Sequence, residues 1–109
     1  MKHFDLLIVT KNPINESLLS SLSYIRLNEA KIDELNIYHD DNHEFTYDYL
    51  ITDDESLLSK FDLLKDEGYY ITNCFFQSTI DEVFVVGTLN HSSFDLNHQI
   101  KTIIDFLVN

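Results

Sequence analysis

The densest group of side chains able to do chemistry lies at residues 39–44, where the sequence reads His-Asp-Asp-Asn-His-Glu. Two imidazoles and three carboxylates within six residues could ligate Zn²⁺ or another divalent ion if the turn wrapped around it. Asp and Asn are also the residues that a hairpin turn selects, and the spacing follows no established metal motif. We therefore predict a solvated turn here and no metal site.

Cys74 could act as a nucleophile beside His91 or His98, since a thiolate needs a neighbouring base or cation to form at neutral pH. Cys74 is instead followed by Phe75 and Phe76, which predicts a buried and unreactive thiol. Because it is the only cysteine, the chain can form neither an internal disulfide nor a Cys-x-x-Cys redox motif.

Paired acids recur at residues 53–55, 66–67 and 81–82, and such pairs can serve in general acid–base catalysis. Most of them fall at predicted helix starts or between elements, where solvated carboxylates are common and complement the helix dipole. We predict that they are surface groups, and no catalytic residue is assigned.

Length and charge bound the possible functions. The chain has 109 residues, 44% of them hydrophobic, which suits a single folded domain over residues 1–109. Its 19 acidic and 7 basic side chains give a formal charge of -12, which disfavours direct binding to nucleic acid or membranes and favours a basic protein partner. With no predicted membrane span or signal peptide, we expect a cytoplasmic protein.

The first half of the chain predicts a strand, a helix and a hairpin. Residues 4–10 are nearly continuously apolar, as in a central strand that is buried on both faces. Asn15 can cap a helix whose apolar stripe is Leu18, Leu19, Leu22 and Ile25. Residues 35–39 and 44–51 alternate around the polar turn and predict a β-hairpin. Its aromatic residues at positions 45, 47 and 49 share one predicted face, which we expect to pack against a helix.

The second half predicts another helix, two strands and a final helix. Thr52 and Glu55 have the spacing of a capping box, and the stripe that follows is Leu57, Leu58, Phe61 and Leu64. Gly68 would end that helix, and strands would follow at residues 69–72 and 82–86. Asp95 or Asn97 can cap the last helix. The predicted fold is a small single α/β domain in the order β-α-β-β-α-β-β-α, with a mixed sheet, a β-hairpin and about three helices.

Residues 68–106 carry a resemblance to a known family. The sequence reads Gly-Tyr-Tyr-Ile at 68–71, Gln-Ser-Thr-Ile-Asp-Glu-Val-Phe-Val-Val-Gly-Thr at 77–88 and His-Gln at 98–99. This resembles the C-terminal segment of thioredoxin-reductase-like pyridine nucleotide-disulfide oxidoreductases, in which the Gly-Asp of a similar segment meets the flavin. More loosely, residues 4–11 are similar to the second strand of the family's nucleotide-binding domain and residues 35–52 to its later β-meander. The resemblance implies that Gly87, Thr88 and Gln99 occupy cofactor-binding positions for FAD.

The chain also departs from that family in the parts that carry the chemistry. Its only glycines, Gly68 and Gly87, cannot form a Gly-x-Gly-x-x-Gly turn, which approaches a pyrophosphate closely. The redox cysteine pair is missing. Thr88 stands where the family has an Asp, so it cannot supply a charged acceptor to the flavin. We therefore expect a non-catalytic, reductase-like protein that needs no cofactor and acts by protein–protein binding or self-association.

Two alternatives stay open at this point. One is a residual flavin-binding protein that holds FAD through the three cofactor-binding positions. The other is an acidic mimic of nucleic acid that inhibits a DNA- or RNA-binding enzyme by presenting carboxylates in place of phosphates.

The C-terminal helix predicts a homodimer. Its inward stripe is Ile100, Ile103, Ile104 and Leu107. Phe106 and Val108 fall off this stripe, which leaves apolar surface for a second copy to cover.

Overall fold

The computed structural model describes all 109 residues, which form a five-stranded sheet, a separate two-stranded hairpin and two helices. The strands are β1 (Lys2–Val9), β2 (Tyr24–Leu27), β3 (Ile37–His39), β4 (Glu44–Thr52), β5 (Lys65–Asp66), β6 (Tyr69–Tyr70) and β7 (Val83–Val85). The helices are α1 (Glu55–Leu58) and α2 (Leu96–Val108), and single 3-10 turns lie at Glu16–Leu19 and Gly87–Leu89. No helix has the length and apolar character needed to cross a membrane.

The main sheet is mostly parallel. Strand β1 lies between β2 and β4 and runs parallel to both. The other edge of β4 is shared, since β3 pairs antiparallel with its first half and β7 pairs parallel with its second half. The predicted α/β class, the mixed sheet and the β3–β4 hairpin are confirmed, with two helices in place of about three.

Each face of the sheet carries its own apolar cluster. Helix α2 covers one face by burying Ile100, Ile103 and Ile104 against Leu6 and Phe84. Helix α1 and the chain around the small hairpin cover the other face. Consistent with the prediction, residues 6–9 of β1 are buried, because both faces of the central strand are covered at this end.

The prediction of a helix after Asn15 is wrong. Asn15 does cap, but only a 3-10 turn, and Ile25 lies in strand β2 instead. Serine has a modest helix propensity, and the four serines of this segment leave the helix dependent on packing. Ser23 instead binds β1, because its hydroxyl accepts from the Asp5 N–H at 2.8 Å and its own N–H donates to the Asp5 carboxylate at 2.9 Å. These two bonds hold β2 beside β1.

The second predicted helix is shortened to the four residues of α1. Its cap is Asp54, because the Thr52 hydroxyl already donates to the Val9 carbonyl at 2.8 Å and so links β4 to β1. Beyond α1, Leu64 is exposed instead of continuing the stripe. Gly68 does not end a helix but forms the turn between β5 and β6.

The three aromatic residues of β4 do not share one face. Phe45 and Tyr47 belong to the cluster beneath α1, whereas Tyr49 packs beside Phe84 under α2. Strand β1 changes sides at the same level, where Phe4 contacts one cluster and Leu6 the other. The predicted shared face is therefore correct for two of the three rings. At the C-terminal end, Asp95 caps α2 as predicted, with its carboxylate accepting from the His98 N–H at 2.8 Å.

Candidate functional site

The carboxyl ends of the parallel strands β1, β4 and β7 meet at one edge of the sheet, the usual place for a ligand in an open α/β sheet. Two neighbouring clefts open there. The first, of about 280 Å³, is lined by Lys11, Asn12, Asn28, Asp53, Asp54, Glu55 and Ser56. The second, of about 500 Å³, is lined by Asn12, Pro13, Asp53, Gly87, Thr88, Ser92, Ser93, Phe94, Asp95 and Leu96. They share Asn12 and Asp53, so we treat them together as the strand-end cleft.

Asp53 lies at the centre of the strand-end cleft. Its carboxylate accepts from the Thr10 hydroxyl at 3.0 Å and from the Asn12 side-chain amide at 2.7 Å. Both donors are neutral, and both follow β1, whereas Asp53 follows β4. These bonds orient the carboxylate without neutralising its charge.

The other charges of the cleft leave an acidic surplus. Asp54 accepts the N–H groups of Ser56 and Leu57 as the cap of α1, and Glu55 follows it. The one lining cation, Lys11, forms an ion pair of 2.6 Å with Glu29, and this contact raises the pKa of Lys11 and lowers that of Glu29. Carboxylates therefore dominate the cleft, which favours a cationic ligand and repels phosphate.

Gly87 closes the second part of the cleft with a backbone that suits glycine. Its φ is +80°, and a β-carbon added there would lie 3.1 Å from the Asp53 β-carbon. Glycine thus permits both the left-handed conformation and the close approach of the β7 end to Asp53.

Replacing Gly87 with Ala is expected to destabilise the fold more than replacing Gly68 with Ala. Both positions have positive φ, which costs an alanine about 1–2 kcal/mol, but Gly68 has open space around it. We expect Gly87→Ala to cost about 1 kcal/mol beyond the Gly68→Ala control, because Asp53 must move. Urea unfolding of the two variants measures the difference, and equal losses of stability would refute the close contact.

The three predicted cofactor-binding residues, Gly87, Thr88 and Gln99, are brought together at the second part of the cleft. Gly87 and Thr88 line it, and Gln99 is fully buried beneath. The Gln99 oxygen accepts from the Gly87 N–H and the Asn90 side-chain amide, both at 3.0 Å. Its amide nitrogen donates to the carbonyls of Gly87 and Phe94 at 3.2 and 2.8 Å. All four hydrogen-bonding positions of Gln99 are filled within the chain.

No family model, curated protein or solved structure matches the chain. The reductase resemblance therefore stays a prediction from the residues that carry it. The geometry gives Gln99 a structural role, since its amide ties the β7 end to the start of α2.

The histidine–aspartate cluster at residues 39–44 forms the β3–β4 turn. The Asp40 carboxylate accepts from the Tyr38 hydroxyl at 2.7 Å and from the N–H groups of Asn42 and His43. The Tyr38 hydroxyl, followed by these backbone donors, lowers the pKa of Asp40 to about 2, while burial and this same bond raise the pKa of Tyr38 to about 12. Asp40 thus organises the turn.

The prediction that Cys74 is buried is wrong. The Cys74 residue is exposed, and of the two aromatic residues that follow it in this loop only Phe76 is buried.

Two arrangements of polar side chains were not found from the sequence. One is the strand-end cleft, whose signal is that polar residues follow β1 and β4 directly. The other is a row at the exposed start of β1 beside β4, in which the His3 ring contacts the Thr46 hydroxyl at 2.6 Å and the Asp48 carboxylate at 3.2 Å. Hydrolases use the same order of groups, but His3 and Asp48 are about half exposed, so water competes for each contact. We interpret this row as a cross-strand network.

Proposed function

We propose that the protein is a non-catalytic α/β binding protein that recognises a basic protein partner through the strand-end cleft. The observation that carries the proposal is the acidic lining at the edge where α/β proteins bind their ligands. Three consecutive carboxylates, from Asp53 to Glu55, line the first part of the cleft, and Asp95 adds a fourth in the second part. Glu55 already pairs with Lys65 at 2.8 Å, so the acidic surplus rests on the three aspartates. A lysine or arginine side chain has the charge and the donors to meet them.

The charge of the whole chain supports the same partner. Four of its seven basic side chains, Lys11, Arg26, Lys65 and Lys101, already form ion pairs within the chain. Few of the chain's own basic side chains are therefore free to offset its formal charge of -12. This charge accelerates association with a cationic surface.

The end of strand β1 disfavours a dinucleotide cofactor at this edge. Strand β1 ends in Thr10 and Lys11 without a glycine, and Lys11 is held by Glu29. A dinucleotide at this edge would bring its pyrophosphate towards the carboxylates of Asp53 and Asp54, which would repel it. The acidic-mimic alternative gains no comparable support, because the densest carboxylates line a concave cleft instead of a convex ridge.

The substitution Asp54→Asn tests the cleft, because Asn also caps a helix and keeps α1 in place. With a fluorescent oligo-arginine peptide as the probe, we expect Asp54→Asn to weaken binding about two- to fivefold, as for loss of one partly exposed charge pair. Fluorescence anisotropy at low salt measures the affinity, and binding should weaken further as salt is added.

The matched control is Asp41→Asn, which removes the same charge from the exposed β3–β4 turn. We expect Asp41→Asn to bind the peptide almost as the wild type does. Equal weakening by both substitutions would show that only net charge matters, and a wild-type protein that does not bind the peptide would refute the proposed function.

A further inference from the structure

The small β5–β6 hairpin presents an exposed apolar face. Leu64, Tyr69 and Ile71 are 60%, 39% and 42% exposed, and they are three of the seven large apolar residues that are exposed in the chain. The Ile71 N–H donates to the Leu64 carbonyl at 3.0 Å, so these two residues lie opposite each other, and Tyr69 lies opposite Asp66. These two pairs are separated by the pair of Lys65 with Tyr70, so their side chains share one face and those of Lys65 and Tyr70 point to the other.

The opposite face of the hairpin is fixed to the core. Tyr70 is 3% exposed, and its hydroxyl donates to Glu55 at 3.2 Å. The Lys65 ammonium lies 4.5 Å from the centre of the Tyr70 ring and forms an ion pair of 2.8 Å with Glu55. Glu67 and Gly68, with φ of +52° and +86°, make the tight two-residue turn. The apolar face is therefore preformed, and a partner would not have to order it.

This face is continuous with the strand-end cleft. The Tyr69 ring lies 4.3 Å from the His91 ring, and a small cleft of about 250 Å³ runs from these two rings past Asn90 to Thr88 and Ser92. Thr88 and Ser92 also line the second part of the strand-end cleft. One extended segment of a partner could therefore touch both.

We infer that the β5–β6 face binds the apolar side chains of a basic, amphipathic peptide segment, whose lysine or arginine side chains enter the strand-end cleft. This inference rests on the proposed function and adds the second contact surface and the pattern of the ligand. Exposed acids at Asp62, Asp66 and Glu67 border the apolar residues, so the flanking groups of the occupant must be cationic. A second copy would bring the same acids and a further -12 charges to the contact, which disfavours it as the occupant of this face.

Three peptides of equal length separate the two contributions. The probe alternates leucine and lysine, the first comparison peptide alternates serine and lysine, and the second alternates leucine and glutamate. We expect the wild type to bind the leucine–lysine peptide about tenfold or more tightly than the serine–lysine peptide, since burial of one leucine already supplies that factor. The leucine–glutamate peptide should not bind.

The double substitution Leu64→Ser with Ile71→Thr removes both aliphatic side chains of the apolar face, and the introduced Thr is a good strand former. This variant should lose the tenfold preference and bind the serine–lysine peptide as the wild type does. The control is Ile37→Thr, which removes an exposed isoleucine from β3 and should leave the preference intact. Circular dichroism checks the fold, and Tyr69→Thr gives the same test if the double variant fails to fold.

The outcomes distinguish the inference from the proposed function. If the hairpin variant keeps the tenfold preference, the inference fails, although the effect of Asp54→Asn still supports the cleft. If the wild type binds neither lysine peptide, both fail. If the leucine–glutamate peptide binds equally well, or if light scattering shows a wild-type dimer that the hairpin variant loses, the assigned occupant is wrong.

Discussion

The substitution Ile103→Asp is expected to unfold the protein. Ile103 is fully buried in the cluster that α2 forms against β1 and β7, among Leu6, Ile8 and Phe84. An uncompensated carboxylate there costs several kcal/mol, whereas a small domain is stable by only about 5–15 kcal/mol in total. Circular dichroism and urea unfolding should show loss of helix signal or an unfolding midpoint near zero denaturant.

Two controls test the physical cause of that loss. Ile103→Val removes one methylene at the same site and should cost only about 0.5–1.5 kcal/mol. Val108→Asp places the same charge on the exposed end of α2, where Val108 is 47% exposed, and should keep the fold. An Ile103→Asp protein as stable as Val108→Asp would contradict the packing of α2.

Val108→Asp also reports on the predicted homodimer through the C-terminal helix. Of the two residues proposed for that contact, Phe106 stacks on Phe75 at 4.3 Å and packs edge-on against Phe84 at 6.3 Å within its own chain. A Phe106→Asp variant would therefore disturb the fold as well as any dimer. Light scattering on the wild type and on Val108→Asp tests self-association without that complication.

The second large effect is expected from Gln99→Met, which keeps the length of the side chain and removes its amide. Four polar groups lose a partner, namely the Gly87 N–H and carbonyl, the Phe94 carbonyl and the Asn90 side-chain amide. Three of these bonds are partly buried, and the Asn90 amide keeps its bond to the Val85 carbonyl at 2.8 Å. Because a buried group left unsatisfied costs about 1–3 kcal/mol, we expect a total loss of about 2–3 kcal/mol. Urea unfolding measures it.

The matched control is Asn97→Ala, on the exposed side of the same helix. The Asn97 oxygen accepts one hydrogen bond, from the Asn15 N–H at 2.8 Å, and its loss should cost about 1 kcal/mol or less. A Gln99→Met protein no less stable than Asn97→Ala would refute the role of Gln99 as the tie between β7 and α2.

The elements that the sequence predicts well are those whose pattern agrees with their packing. The apolar run of β1 marks a central strand, and the polar turn at residues 40–43 marks the β3–β4 hairpin. Asp95 caps α2, whose residues Ile100, Ile103 and Ile104 are buried as their spacing predicts. In these segments local preference and tertiary contacts favour the same structure.

The prediction fails where an apolar stripe with helical spacing can also pair as a strand. Leu18 to Ile25 has helical spacing, but the reciprocal bonds between Asp5 and Ser23 direct its second half into β2. Leu64 continues the stripe of α1 in sequence, yet its segment pairs with residue 71 because Glu67 and Gly68 supply the hairpin turn. Tertiary pairing overrides propensity at both places.

The candidate site was predictable only in part. The resemblance groups Gly87, Thr88 and Gln99, and the structure places them side by side. It could not reveal that Asp53 meets Thr10 and Asn12, since those residues are more than 40 positions apart and become neighbours only through the parallel pairing of β1 with β4. Their proximity follows from strand order, which periodicity does not specify.

Binding of a cationic peptide in the strand-end cleft can be observed residue by residue. The most direct measurement is a titration of ¹⁵N-labelled protein with oligo-arginine, followed by the chemical shifts of the backbone amides. We expect the shifts to concentrate at residues 11–12, 53–56 and 87–88, with little change in the equally acidic turn at residues 40–44. Shifts spread evenly over all acidic segments, or centred on that turn, would contradict it.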